Sequence, residues 1–203
     1  MGPPRVEDAA RIRAVLESDR PWAAYALADL SPGFREHCQW FVEEGSPPAL
    51  VMLYCRVDPP VIFALGTAER LAPSIQEIEP RFLILHVRPE ALAAIETRYR
   101  VVESRPQWRM ILEPERFRPV PSGGGSPLGP GDVEAIRTLF ADGEPRGEAP
   151  DYFDDSMVEQ GLFRGLWEGA ELVAVAGTHV VAPRESVCAI GRASCRERVF
   201  RVV

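Results

Sequence analysis

Hydrophobic and polar positions along this chain fall into blocks that switch between a helical and a strand period. From Glu7 to Ser18, Ile12, Val15 and Leu16 share one face of a 3.6-residue repeat while Asp8, Arg11 and Glu17 take the others, which predicts an amphipathic helix. Asp19-Arg20-Pro21 ends it and starts a second helix, Pro21 to Leu30, with proline near the first turn, where its missing N–H does no harm. Ser31-Pro32-Gly33 stops that one. Three strand-like runs come next, His37 to Val42, Leu50 to Val57 and Val61 to Leu65, with prolines confined to the turns between them, as in an antiparallel meander. Beyond Gly66 the pattern predicts a helix from Thr67 to Ile78 that Pro73 kinks or splits, and a buried strand from Phe82 to Val87. A helix from Pro89 to Tyr99 and a final strand pair, Arg100 to Ser104 and Gln107 to Leu112, complete this half.

From Glu113 to Pro130 the pattern dissolves into Pro119, Pro121, Gly123-Gly124-Gly125, Pro127, Gly129 and Pro130. Such a stretch cannot bury enough apolar surface to order itself and reads as a linker, with Phe117 to Val120 as a candidate first strand of the second half. The glycine triplet is no phosphate loop, because no strand leads in, prolines interrupt it and no Gly-Lys-Ser/Thr comes after it. A helix from Gly131 to Ala141 then presents Val133, Ile136, Leu139 and Phe140 on one face. After a polar loop and a short helical stretch near Asp154 to Gln160 comes the clearest signal in the chain. Phe163 to Trp167 and Glu171 to Val181 flank Glu168-Gly169-Ala170, where Gly169 can adopt the positive φ of a tight hairpin. Leu172 to Gly177 is apolar on both faces, as expected of a central strand covered by helices on each side. The fold class expected is α+β.

The order strand, helix, helix, strand, turn, strand, with Leu166-Trp167-Glu168-Gly169-Ala170-Glu171-Leu172-Val173-Ala174-Val175-Ala176-Gly177 as its hairpin, resembles the opening half of the GNAT superfamily, the acyl-CoA N-acyltransferases. The resemblance covers roughly Phe117 to Gly191, and the first half imitates a whole module of the same kind. It implies two tandem GNAT-like halves with mixed, mostly antiparallel sheets: a degenerate domain over 1–113, a linker and possible first strand over 114–130, and the N-terminal half of a catalytic domain over 131–189. The activity implied is transfer of an acetyl or acyl group from acetyl-CoA, or another acyl-CoA, to a small-molecule or peptide amine. The family's (Gln/Arg)-x-x-Gly-x-(Gly/Ala) loop, expected just after Ala189-Ile190-Gly191, is not there, so no residue of this chain is assigned to cofactor binding. Residues 190–199 instead read IGRASCRERV, the translation of ATC GGA AGA GCG TCG TGT AGG GAA AGA GTG, which resembles a short-read sequencing adapter. The expectation is that native sequence stops near Ala189, that 190–203 is a non-native tail, and that the chain as given is inactive. An alternative is a catalytically dead GNAT-like module that binds a metabolite or a partner.

Composition changes this picture little. All 23 basic residues are arginine, with no lysine and no asparagine, which marks GC-rich coding more than a phosphate-binding need. Residues 1–189 carry 19 Arg against 29 Asp and Glu, a net charge of -10, so the basic footprint of a nucleic-acid binder is missing. No run approaches the ~20 apolar residues of a membrane span and the N-terminus lacks the apolar core of a signal peptide, so a soluble cytoplasmic protein is expected. Cys38, Cys55, Cys188 and Cys195 have neither Cys-x-x-Cys nor histidine at ligand spacing; they read as buried free thiols, and no metal is expected.

Candidate chemistry gathers late in the chain. His179, beside the small residues Gly177 and Thr178, can take an amine proton near neutrality or can serve as a strand histidine bonded at a sheet end. In the family the segment after the helix lines the acceptor cleft, which implies substrate-binding roles for Tyr152, Phe153 and Asp155; Asp154, Asp155 and Glu159 can equally cap a short helix. His37 and His86 lie in apolar runs and read as structural, and the four tryptophans as core or rim packing.

Overall fold

The computed structural model describes residues 3–119, 125–143, 152–191 and 194–195, and the chain divides into two compact units, Met1–Ile111 and Leu112–Val203. It is α+β, with one mostly antiparallel sheet in each unit. No helix among the described residues is long and apolar enough to cross a membrane.

In unit 1 the three strand-like runs become β1 (Cys38–Glu43), β2 (Ala49–Tyr54) and β3 (Val61–Leu65), paired antiparallel from Cys38↔Tyr54 to Glu43↔Ala49 and from Leu50↔Leu65 to Tyr54↔Val61. A fourth strand, β4 (Ile84–His86), joins β3 in parallel. A parallel neighbour requires a crossover, and α3 (Ala68–Gln76) supplies it, running through Pro73 unsplit. At the start of the chain Arg5 forms an antiparallel bridge with Phe41, and the Val6 N–H donates to the Trp40 carbonyl at 2.8 Å.

Between that bridge and β1 lie α1 (Ala9–Leu16) and α2 (Arg20–Ala28). The Asp8 carboxylate caps α1 by accepting from the N–H groups of Ala10 and Arg11, and Asp19 caps α2 by accepting from that of Trp22. β2 is buried along nearly its whole length, which explains its unbroken apolar run. Val51, Leu53, Ile62 and Ala64 pack with Leu71 and Ile75 of α3 and with Ala94 and Ile95 of the short α4 (Leu92–Ile95). On α2, Trp22 stacks on Phe63 with ring centroids 5.7 Å apart and donates its indole N–H to the Ala64 carbonyl at 2.9 Å.

Several expectations for this unit are corrected. β4 is short and mostly exposed: at the sheet edge it has one neighbour and three residues, too few to bury a face. Helix Pro89 to Tyr99 reduces to a 3₁₀ turn and α4. The strand pair at 100–104 and 107–112 does not form; Val102, Trp108 and Met110 are 83%, 94% and 90% exposed, so Trp108 is neither core nor rim. Here a side chain replaces the ladder. The Arg109 guanidinium lies 4.7 Å from the Trp22 ring and 4.8 Å from that of Tyr25, donates to the Trp22 carbonyl, and is desolvated enough to hold its pKa below the usual value. Arg88, paired with Asp19 at 2.6 Å, also lies 4.7 Å from Trp22. Nor are the thiols buried: Cys38 is half-buried, while Cys55 and Cys188 are exposed.

Unit 2 runs β5 (Ser126–Leu128), α5 (Val133–Gly143), α6 (Ser156–Gln160), β6 (Phe163–Glu168), β7 (Glu171–Ala182), β8 (Val187–Ile190) and β9 (Ser194–Cys195). The sheet order is β5-β6-β7-β8, antiparallel throughout, with β9 also paired to β7. The first strand therefore lies inside the Pro/Gly stretch and not at Phe117 to Pro119, where no element forms; Val120 lies outside the described residues. β5 pairs Leu128 with Phe163 and buries Leu128 to 8%, and as an edge strand it tolerates Pro127. Gly169 takes φ 61° where β6 turns into β7.

Two bulges reset which face β7 presents. Leu166 pairs with Ala174 but Trp167 with Leu172, leaving Val173 as an extra residue, so Leu172 and Val175 both reach the core formed by Val133, Ile136, Leu139 and Phe140 of α5. Farther on, Thr178 pairs with Ile190 and Val180 with Ala189, which makes His179 the extra residue. Burial on both faces of β7 holds for Leu172 to Val175 and fails beyond, where Ala176 is exposed. Of the expected tail, Ile190 ends β8 and residues 194–195 form β9; 192–193 and 196–203 lie outside the described residues.

Candidate functional site

A shallow concavity lies in unit 2 between the ends of α5 and α6 and the second half of β7. Its walls are aromatic. Phe153 stands edge-on to Phe140 of α5, centroids 5.2 Å apart, and to Phe163 of β6, 6.2 Å apart, and Met157 of α6 closes the gap. Tyr152 meets the His179 imidazole edge-on at 6.3 Å across the opening.

The floor is backbone, because glycines let the strands come close. A Cβ on Gly177 would lie 2.4 Å from the Phe163 ring, so only glycine leaves that ring in place. Next to it, Thr178 accepts the Leu162 N–H on its hydroxyl at 2.9 Å and donates its own N–H to the Leu162 carbonyl at 3.0 Å. That clamp fixes β7 against the turn after α6, and the bulge one residue later turns His179 into the same cup as Gly177. Gly191 donates its N–H to the Gly177 carbonyl at 3.0 Å and completes the rim.

Three of the residues expected to act thus meet here: His179, Tyr152 and Phe153. Asp155 does not. Its carboxylate pairs with Arg137 of α5 at 2.5 Å, and the same guanidinium lies 5.4 Å from the Phe153 ring. Asp154 turns toward α6, accepting from the Ser156 N–H at 3.0 Å and from the Ser156 hydroxyl, and Glu159 is exposed on that helix. His37 is half-buried in a 3₁₀ turn before β1 and His86 is exposed on β4; neither belongs to an apolar interior. Phe140, Met157, Phe163 and Thr178 line the cup although the sequence pattern marks the first three only as apolar positions, and the Gly177-Thr178 pair beside a histidine is the signal that points toward them.

Chemically, the cup brings together an imidazole, that of His179, a phenol, that of Tyr152, and an aromatic wall. No group of three or more His, Cys, Asp or Glu side chains among the described residues is arranged to hold a metal ion. A coenzyme A diphosphate needs unfilled N–H groups at a helix N-terminus. In unit 1 a strand leads through a glycine into a helix at Leu65-Gly66-Thr67, but the carboxylate of Glu69 is held there by its own backbone N–H and the Thr67 hydroxyl, which lowers its pKa and puts a negative charge where an anion would bind. Gly66, at φ 133°, is pressed against Ala49, whose Cβ would lie 2.6 Å from an added Cβ. In unit 2 no helix follows β8 among the described residues. Neither of these two places offers a diphosphate a row of unfilled N–H groups.

Compared with protein-family models, with curated proteins and with solved structures, the chain matches none of them.

Proposed function

We propose that unit 2 is the acceptor-binding half of a cytoplasmic acyl-CoA N-acyltransferase of the GNAT kind, and that unit 1 is a degenerate copy of the same module. One observation carries this reading: both units repeat a single order. A short N-terminal strand contact, Arg5 in one and β5 in the other, is followed by two helices and an antiparallel run of strands, and in unit 1 by a helix and a strand parallel to β3. Such a repeat is what two copies of one module would leave, which supports the tandem reading.

In this reading the cup holds the amine and the acyl group comes from acetyl-CoA or a related thioester, whose binding residues lie outside those described. An ammonium must lose its proton before its nitrogen can act as a nucleophile, and the His179 imidazole is the group in the cup with the basicity to take it near neutral pH. Tyr152 holds the opposite side of the opening, and Phe153 keeps the interior dry. Titrating acetyl-CoA into residues 1–203 in a calorimeter is expected to give no saturable heat at micromolar concentrations. Micromolar binding would refute the placement of the donor site.

A second reading, a catalytically dead module of the same architecture that binds a metabolite or a partner, is favoured by the self-capped N-terminus of α3. It differs in giving no acyl transfer even when the donor-binding stretch is present.

A further inference from the structure

Half-buried strands turn their apolar side inward, and one stretch of this chain does the reverse. From Tyr99 to Glu113 the backbone runs without a turn or a bend, so successive side chains point to opposite sides. Val102, Pro106, Trp108, Met110 and Leu112, with Ser104 between them, fall on one side; Glu103, Arg105, Gln107, Arg109, Ile111 and Glu113 fall on the other. That is the alternation of an amphipathic strand, broken only by Ile111. Arg109 shows which side is turned inward. It is the one residue from Val102 to Pro119 that is not exposed, and its guanidinium reaches the Trp22 and Tyr25 rings of α2. The polar side therefore lies against unit 1, and Trp108 and Met110, the neighbours of Arg109 in sequence, point into solvent. A continuous apolar row differs from the single apolar residues scattered over an ordinary surface and marks a place that another surface covers.

We propose that this apolar face docks on the same face of a second copy of the chain, the two strips packed face to face about a two-fold axis. Charge favours that occupant. The acidic residues beside the row are balanced within each copy, Glu103 by Arg105 at 2.8 Å and Glu113 by Arg116 at 2.9 Å, so two strips meet without opposing like charges even though each chain carries a formal net charge of -7. The same net charge disfavours an anionic membrane surface as the cover. Packing the two strips together removes on the order of 1,000 Å² from water, the low end for a specific interface, which points to a dimer that forms in the micromolar range. Trp108 is its anchor, with the ring seated on the apolar row of the other copy. This surface shares no residue with the concavity in unit 2, and the proposal does not rest on the acyltransferase reading.

Sedimentation velocity of the full chain over a concentration series tests it, in reducing buffer because Cys55 and Cys188 are exposed. A monomer–dimer equilibrium with a micromolar dissociation constant is expected. Met110→Arg puts a charge into each strip at a position open to solvent in the single copy, and should raise that constant about thirtyfold or more while leaving the urea midpoint unchanged. Ile190→Ser, at an exposed apolar residue of β8, should leave the constant where it is. Hydroxyl-radical footprinting of the unaltered chain, which depends on no variant, should modify Trp108 and Met110 severalfold more slowly above the dissociation constant than below it. A chain that stays monomeric throughout the micromolar range, a dimer that survives Met110→Arg or is lost in Ile190→Ser, or a species that keeps growing with concentration instead of closing at two would each overturn the proposal. So would a monomer that binds vesicles of phosphatidylcholine and phosphatidylglycerol through Trp108 instead.

Discussion

Replacing Trp22 by alanine is expected to destabilise unit 1 by about 3 kcal/mol, the lower end of the range for large aromatic truncations because the ring is only half-buried. The indole does three things at once. It stacks on Phe63, it satisfies the Ala64 carbonyl of β3, and it offers its faces to the guanidinium groups of Arg88 and Arg109. Losing it leaves a carbonyl without its donor and releases the ring on which Arg109 anchors the extended segment around it. Urea unfolding followed by far-ultraviolet circular dichroism measures the effect, and Trp22→Phe, which restores a ring without the N–H, should recover part of it. A midpoint unchanged in Trp22→Ala would show that the anchor contributes nothing and that the chain beyond Tyr99 is held in some other way.

Gly161→Ala is expected to cost unit 2 about 1–3 kcal/mol, the usual range for forcing atoms into a packed site. An added Cβ would lie 2.1 Å from the Thr178 hydroxyl oxygen and 2.6 Å from the Met157 carbonyl oxygen. The first can rotate away only by giving up the Leu162 N–H, and the second is backbone that also accepts the Gly161 N–H at the end of α6. Because Thr178 immediately precedes the bulged His179, the same variant should disturb the cup as well as the stability. Thermal unfolding and the His179 resonance report the two effects separately. A variant as stable as the parent, with an unmoved His179 signal, would mean that the Gly161–Thr178 contact is looser than the geometry gives it.

Much of the fold was legible because its signals are local. The hairpin around Gly169 needed only two β-rich runs and one residue able to take positive φ, and the meander of unit 1 needed only apolar runs with prolines between them. What escaped depends on partners far away in sequence. The bulges at Val173 and His179 are properties of two strands in register, and nothing in Leu172–Val181 alone announces them. Residues 100–112 have a strand's composition but no sheet edge to join, and Arg109 commits itself instead to Trp22, 87 residues earlier. β5 is three residues long with proline in the middle, so it carries almost no periodic signal. Of the residues expected to act, Tyr152, Phe153 and His179 lie together at the concavity, whereas the pairing of Asp155 with Arg137 required knowing how α5 lies beside the turn into α6.

The central claim, that these residues contain the amine side of an acyltransferase, is tested most directly by reading the genomic DNA past the codon for Ala189 and assaying the protein it encodes. The account predicts an (Arg/Gln)-x-x-Gly-x-(Gly/Ala) stretch opening a helix there, and release of coenzyme A from acetyl-CoA that depends on an added amine and falls about a hundredfold or more in His179→Gln. A genomic read that reproduces IGRASCRERV, or a full-length protein that carries the glycine stretch yet releases no coenzyme A with any amine, would contradict it.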